Sequence, residues 1–445
     1  MNQKIRPRGP LNANVTPPGS KSITNRALLL AALTDGTTTL NGVLDAEDTQ
    51  IMLNALRTLG LDVLHDPQTK QVEVDGNGGI YPVKDAEIYV GNSGTSARFL
   101  AAALSFANGN YRLHGKPRMH ERPIRDLVDA LAQLGADIRC ENGNDCLPVQ
   151  IRGLRCATSP ALLRGAMFPA LLRSATVSGS LSSQYLSALL MAAPLATERG
   201  DVEIRLAGEL VSGPYVTMTL AMIRSFGVRV ETDDKLTSFR FARNSTYEPQ
   251  MNYRIEPDAS AASYFFAAAA ICGGTVRIPG LSLKSLQGDV AFVDCLCEMG
   301  CTAAYCSDAI IVSHAPGSPL RGISVDMNSF SDTAQTLAAV ALFAEGPTEI
   351  RNIEHVRLKE TDRIAALAKE LRKFGAVVEE RPDGLKITPP KRLKPATVET
   401  YDDHRMAMSF AIVGLRQPGV VIRDPNCVEK TFPEFFTVLD KLQTR

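Results

Sequence analysis

The strongest constraint on this chain is a pattern that returns six times. A polar head opens an alanine-rich helix at Pro17-Pro18-Gly19-Ser20-Lys21-Ser22 to Leu33, at Gly91-Asn92-Ser93-Gly94-Thr95 to Leu104, and at Ser182-Ser183-Gln184 to Leu195. It does so again at Pro257-Asp258-Ala259-Ser260 to Ile271, at Ser331-Asp332-Thr333 to Phe343, and at Asp402-Asp403-His404-Arg405 to Leu415. Each helix leads to a glycine and a short β-branched run. The six glycines (Gly36, Gly109, Gly200, Gly274, Gly346 and Gly419) lie 72 to 74 residues apart, except for one interval of 91. A second, amphipathic helix follows, and in five copies it runs into Gly60, Gly135, Gly227, Gly300 or Gly375. Repeats this long specify stacked supersecondary units, not one wound sheet.

The heads carry chemistry that suits small anions. Free backbone N–H groups and the positive dipole end make a helix start receptive to negative charge. Lys21 and Arg26, in and just after such a first turn, are expected to add two cations to that corner. Gly91 and Gly94 flank a polar pair, which lets backbone amides approach a ligand closely. The segment lacks the third glycine of a dinucleotide fingerprint, and Gly19-Ser20-Lys21-Ser22 lacks the spacing of a phosphate-binding P-loop. Arg118-Met119-His120-Glu121-Arg122-Pro123 brings basic residues to another helix entry, and Ser182-Ser183-Gln184 brings two hydroxyls and an amide suited to a phosphate or polyol. Val211-Ser212-Gly213-Pro214-Tyr215 adds a further hydroxyl pair. The acids lie in the second half. Asp332 heads one helix, and Lys359-Glu360-Thr361-Asp362-Arg363 is expected to begin an amphipathic one, with Lys359 and Arg363 sharing a face. Asp403-His404-Arg405 heads the last small-residue helix, and Glu429-Lys430-Thr431 precedes the final helix.

At 445 residues the chain exceeds one ordinary core, so an α/β architecture of two domains with three repeats each is expected. Lys plus Arg and Asp plus Glu number 48 each, so no global field steers the protein to nucleic acid or membrane. Any anion binding must come from local convergence of cations. The polar start, the lack of an apolar run near the ~18 residues of a membrane span, and nine scattered cysteines point to a cytoplasmic protein. Cys295, Cys297, Cys301 and Cys306 are close in sequence, but sister repeats place Leu, Ala or Val there, so they are read as buried small hydrophobes and not metal ligands. The long interval holds an insertion around Cys156 to Leu172, broken by Pro169, with no functional reading.

Taken together, Pro18-Gly19-Ser20-Lys21-Ser22 with Asn25-Arg26, Gly91-Asn92-x-Gly94-Thr95, Arg118-Met119 with Glu121-Arg122-Pro123, Ser182-Ser183-Gln184, Lys359-Glu360-Thr361-Asp362-Arg363 and Asp403-His404-Arg405-Met406-Ala407-Met408, in this order, resemble the 5-enolpyruvylshikimate-3-phosphate synthase family. The resemblance runs from about Lys4 to Leu442. It implies an enolpyruvyl transferase-like fold with residues 20–250 as one three-repeat domain, residues 1–19 plus 251–445 as the other, and an active site in the interdomain cleft. It further implies transfer of the enolpyruvyl group of phosphoenolpyruvate to the 5-hydroxyl of shikimate 3-phosphate, with release of phosphate, in the shikimate pathway to chorismate and the aromatic amino acids. No metal or organic cofactor is implied. The expected partners are the two small-molecule substrates alone, with no nucleic acid or membrane, and the expected state is a monomer.

By the same resemblance, Lys21, Arg122, Arg363, Arg405 and Lys430 would surround phosphoenolpyruvate, with Gly94 and Gln184 against it and Asn92 and Thr95 among the substrate-binding residues. Ser22, Arg26, Ser182, Ser183, Ser212, Tyr215, Asp332 and Lys359 would hold shikimate 3-phosphate. Guanidinium forks suit both carboxylate and phosphate. The chemistry needs an acid and a base near neutral pH, because a methylene carbon gains a proton while a hydroxyl loses one. Asp332, Glu360 and Lys21 are the catalytic candidates, their individual steps left open. The resemblance also implies that glyphosate competes for the phosphoenolpyruvate place. His355, Phe99 and Gly213 depart from the residues many relatives carry there, respectively Asn, Pro and Lys. The alternatives are a transferase acting on UDP-N-acetylglucosamine, which would lack the Lys359–Arg363 and Asp403–Met408 series in this form, and a non-catalytic shikimate-phosphate-binding relative, which predicts loss of the acids and bases present here.

Overall fold

Small side chains decide how each repeat is built. Ala, Ser and Gly let a helix pack with all its faces covered, and the helices Gly94–Ser105, Ala259–Cys272 and His404–Gly414 are buried along their whole length. The structure, a computed structural model, describes residues 2–155, 173–179 and 182–442, and the insertion at 156–172 lies outside them. The chain forms two units, Ser20–Ile255 and a discontinuous one of Met1–Gly19 with Glu256–Arg445.

In the continuous unit three helices, Lys21–Leu33, Gly94–Ser105 and Ser183–Ala192, each belong to a repeat with one parallel pair of strands. The pairs are Tyr253–Arg254 with Asp35–Asn41, Asp85–Tyr89 with Asn110–His114, and Arg173–Ser178 with Val202–Ala207. A parallel pair needs a crossover, and the buried helix supplies it in the second and third repeats. An antiparallel hairpin completes each sheet: Val63–Asp66 with Gln71–Asn77, Asp137–Cys140 with Val149–Arg152, and Glu231–Thr232 with Ser238–Phe241.

The discontinuous unit repeats the plan. Leu11–Asn14 pairs in parallel with Gly274–Pro279, and Ser324–Asp326 with Thr348–Arg351, each sheet again completed by a hairpin. The third sheet has Thr397–Val398 parallel to Val421–Arg423 and is closed by Asn2–Lys4 in place of a hairpin. Leu11–Asn14 and Tyr253–Arg254 precede the first helices of the two halves in the chain, yet each pairs with a strand far away in sequence. One apolar core spans this unit. The five glycines after the amphipathic helices all have positive φ, from 87° to 114°, the left-handed C′ position that glycine fills without a Cβ penalty.

Two expectations are corrected here. The Lys359–Arg363 segment does not begin a helix: Lys359 follows the 3-10 turn Glu354–Leu358, and the helix runs Arg363–Lys373, capped by Asp362 Oδ1 accepting from Ala365 N at 3.0 Å. Lys359 and Arg363 therefore share no helix face. Cys295 and Cys301 are buried in the core, but Cys306 is exposed, because it sits in the turn between Thr302–Tyr305 and Ala309–His314. Among the described residues no helix is long and apolar enough to cross a membrane.

Candidate active site

The buried helices present their heads together within each unit. In the discontinuous unit hydroxyls bridge the three: Ser263 Oγ lies 3.1 Å from Thr336 Oγ1, which lies 3.5 Å from Ser409 Oγ. Three helix starts, each with a positive dipole end, thus face one region. Asp403 caps its helix by accepting from Arg405 N at 2.9 Å, and Asp258 caps Ala259–Cys272 by accepting from Ala261 N at 2.8 Å.

Around these heads the acids and bases interlock. Asp332, in the 3-10 turn Asn328–Thr333, accepts from Lys359 Nζ at 2.6 Å and Arg363 Nη1 at 3.2 Å on one oxygen, and from Arg405 Nη2 at 2.7 Å on the other. Arg363 is 1% exposed and spreads over three carboxylates, reaching Asp403 Oδ2 at 2.7 Å and Glu360 Oε2 at 2.8 Å as well. Glu360 uses its other oxygen for Lys430 Nζ at 2.8 Å. Burial alone would lower the Arg363 pKa, but the charges of Asp403, Glu360 and Asp332 outweigh it and raise it. The Lys359 ammonium is pulled down, by burial first and by the neighbouring Arg363 and Arg405 next, against the opposing pull of Asp332. His355 shares a hydrogen bond of 2.8 Å with Ser331, and burial, with Lys359 beside it, pushes its pKa down to about 3. Its ring is neutral at physiological pH.

In the continuous unit Lys21 Nζ lies 3.4 Å from Asp48 Oδ2, a buried carboxylate at the start of helix Glu47–Thr58. Arg122 donates from Nη1 to the Asn92 carbonyl oxygen at 3.2 Å, and its guanidinium rests against Gly94, where an added Cβ would come within 3.0 Å of Cζ. The loop carrying Arg122 is anchored at the next residue: Arg98 Nη2 and Tyr185 Oη both donate to the Pro123 carbonyl oxygen at 2.6 Å. Ser182 caps its helix by accepting from Gln184 N at 3.2 Å, leaving Ser183 and Gln184 in the first turn. Ser212 is buried in the left-handed region at φ 55°, an uncommon conformation for serine that recurs at ligand sites. Thr95 Oγ1 accepts from Asn25 Nδ2 at 3.0 Å.

Arg26 is turned inward. It is 1% exposed, with Nε donating to Thr219 Oγ1 at 2.7 Å, Nη1 to the Ser22 carbonyl oxygen at 2.9 Å, and Nη2 to Ser187 Oγ at 3.2 Å and the Tyr215 carbonyl oxygen at 3.4 Å. The Phe99 and Tyr215 rings flank its Cζ at 5.2 and 5.9 Å. Desolvation lowers its pKa to about 10, still charged at neutral pH. Its donors thus tie Ser22, Tyr215 and the helix heads together. Sequence reasoning also passed over Asp48 and the positioning role of Asp403. Asp403 had a signal, its place one residue before a small-residue helix; Asp48 had none, because its partner is 27 residues away.

The EPSP synthase (3-phosphoshikimate 1-carboxyvinyltransferase) family model matches residues 5–439. The chain is 48% identical to the 3-phosphoshikimate 1-carboxyvinyltransferase of Serratia proteamaculans, covering 98% of both chains. It is 47% identical to the chloroplastic 3-phosphoshikimate 1-carboxyvinyltransferase of Arabidopsis thaliana over 96% of this chain and 81% of that protein. Its fold matches the solved EPSP synthase of Acinetobacter baumannii with a TM-score of 0.77 at 24% identity, covering 99% and 98% of the two chains. The enolpyruvyl transferase NikO of Streptomyces tendae matches in fold with a TM-score of 0.76 at 20% identity, over 99% and 96% of the two chains. With near-complete coverage at almost half identity, this chain belongs to the EPSP synthase (3-phosphoshikimate 1-carboxyvinyltransferase) family.

Proposed function

We propose that the protein transfers the enolpyruvyl group of phosphoenolpyruvate to the 5-hydroxyl of shikimate 3-phosphate through the residues described above. The single observation that carries the assignment of roles is the interlocked cluster of Asp332 and Glu360 with Lys359, Arg363, Arg405 and Lys430 at converging helix starts. Such a cluster supplies both what the substrates need, cations and dipole ends for phosphate and carboxylate, and what the reaction needs, carboxylates held among cations.

In this reading the hydroxyl oxygen attacks the carbon bearing the phosphate of phosphoenolpyruvate while the methylene carbon gains a proton. The tetrahedral intermediate then expels phosphate and returns a proton from the methyl group. Asp332 takes the hydroxyl proton, and Glu360 and Lys21 serve the methylene carbon and the departing phosphate. Arg122, Arg363, Arg405, Lys430, Gly94 and Gln184 hold phosphoenolpyruvate, with Asn92 and Thr95 supporting that place. Ser22, Ser182, Ser183, Ser212, Tyr215, Asp332 and Lys359 hold shikimate 3-phosphate. Arg26 serves that substrate by fixing Ser22 and Tyr215. The working form is a monomer with no nucleic-acid or membrane partner, which sedimentation with and without substrates checks.

The test is phosphate release with each substrate alone and with both. Release that requires both supports the reading. Release with UDP-N-acetylglucosamine in place of shikimate 3-phosphate, or none above background with both substrates, overturns it.

A further inference from the structure

The discontinuous unit holds a buried carboxylate that none of these roles uses. Asp289 lies in the 3-10 turn Gly288–Ala291 and is 4% exposed. The segment before it is clamped to the head of helix Ala259–Cys272. Gln287 Oε1 accepts from Ala259 N at 2.9 Å, Gln287 Nε2 donates to the Pro257 carbonyl oxygen at 2.7 Å, and Glu256 Oε1 accepts from Leu286 N at 3.0 Å. The clamp sets Asp289 beside Ser260, whose Oγ donates to Asp289 Oδ2 at 2.8 Å. Ser260 Oγ in turn accepts from Arg405 Nη2 at 3.4 Å, and the same Nη2 donates to Asp332 Oδ2 at 2.7 Å.

A hydroxyl has one hydrogen to give. With Asp289 ionised, that hydrogen points at Asp289 and a lone pair of Ser260 faces Arg405. With Asp289 protonated, its own O–H takes up one Ser260 lone pair and no longer holds the Ser260 hydrogen, so that hydrogen and the remaining lone pair compete for the side facing Arg405 and the acceptor offered to Nη2 is no longer fixed. We propose that Asp289 is a positioning residue which, through Ser260, sets how firmly Arg405 is held against Asp332 and thereby the affinity for phosphoenolpyruvate. The inference rests on the reading in which Arg405 binds that substrate.

The charged groups facing Asp289 come from separate elements: Asp332 on the turn Asn328–Thr333, Arg405 on helix His404–Gly414, and Asp258 at the head of Ala259–Cys272. On the adjoining helix Phe292–Glu298, Asp294 accepts from Tyr305 Oη at 2.7 Å. Burial first, and the Asp332 charge second, push the Asp289 carboxyl up to about 6 against the opposing pull of Arg405 and Ser260. The hold on Arg405 is therefore present above that pH and lost as pH falls through it.

The experiment measures the Michaelis constant for phosphoenolpyruvate, with shikimate 3-phosphate saturating, from about pH 7.5 to about pH 5 in the parent, Asp289→Asn, Ser260→Ala and the double variant. Asparagine keeps an acceptor for Ser260 and cannot titrate. Ionisation of the substrates is common to all four proteins and cancels in ratios. One controlling group with a pKa of about 6 makes the parent-to-Asp289→Asn ratio change over that range by up to about tenfold, the ceiling reached if protonation abolishes the hold, with kcat differing by less than about threefold. The double variant is expected to be no worse than Ser260→Ala alone, because both changes cut one relay. Parallel profiles, or additive losses, overturn the proposal. A carbon-13 NMR titration of the aspartate carboxyls needs no substrate. An Asp289 signal titrating near 6 that moves in Ser260→Ala supports the relay, and one at the ordinary carboxylate value overturns it. Failure of the functional reading is seen separately, as a parent that releases no phosphate at any pH, and it removes the affinity claim with it.

Discussion

Arg405 grips Asp332 at two points, Nη2 donating to the carboxylate at 2.7 Å and Nη1 to the main-chain carbonyl oxygen at 2.9 Å. The grip fixes both where the carboxylate sits and which way its turn faces. Lys359 and Arg363 share the other carboxylate oxygen, and the Asp332 side chain keeps 14% of its surface exposed.

Neutralising the acids should therefore damage turnover more than binding. Asp332→Asn and Glu360→Gln are each expected to lower kcat by ~10²–10⁴, the usual cost of losing a positioned acid or base, with smaller changes in Michaelis constants. Steady-state kinetics on both substrates checks this. Near-normal kcat in both variants would remove the assigned roles.

Gly94 starts a helix with no positive φ, so alanine is allowed there by the backbone. Its methyl group would meet the Arg122 guanidinium, 3.0 Å from Cζ, 3.1 Å from Nη1 and nearer still to Nη2. Arg122 has to shift, and under the proposed reading that shift narrows the phosphoenolpyruvate place for the longer glyphosate more than for the substrate. Overpacking costs ~1–3 kcal/mol, roughly ten- to a hundredfold in affinity. We expect a glyphosate-sensitive parent, and in Gly94→Ala a rise of that order in the ratio of the glyphosate inhibition constant to the phosphoenolpyruvate Michaelis constant. A flat ratio would show that Arg122 yields without narrowing the pocket.

His355 gives stability an acid dependence. Its pKa of about 3 lies below the ordinary histidine value, so between that value and about 3 the unfolded chain holds a proton that the native chain refuses. Stability is then full above the ordinary value and falls as pH drops, with a limiting slope of ~1.4 kcal/mol per pH unit for one proton. His355→Gln cannot titrate, so its unfolding midpoint between about pH 6.5 and about pH 5 should decline less steeply than the parent's. Parallel curves would contradict the buried neutral ring.

Gln335 is 1% exposed, and neither its side-chain oxygen nor its nitrogen has a hydrogen-bond partner among the described residues. An unsatisfied buried polar group costs ~1–3 kcal/mol, and methionine has a similar length and shape without that cost. Gln335→Met is expected to raise the thermal midpoint, read by calorimetry. A lower midpoint would mean that ordered water satisfies the amide.

The repeat, the helix heads and the stop glycines were legible in the linear chain, because helical period, capping preference and left-handed glycine are local properties, whereas the charged residues of the candidate site were picked out by their resemblance to family motifs. The residues from Ser20 to Leu33 declare a capped helix wherever they are placed. What tertiary structure alone decided is which charges meet. Lys359, Arg363 and Arg405 reach Asp332 across 27, 31 and 73 residues, and Lys359 and Arg363 do so without a common helix face. Arg26, read locally as a cation for the anion corner, is instead drawn inward by hydroxyls of Ser187 and Thr219, 161 and 193 residues away. A buried charge goes where its partners are, and helix packing brings those partners from distant repeats. The same reason kept Asp48 and Asp289 from standing out as single letters.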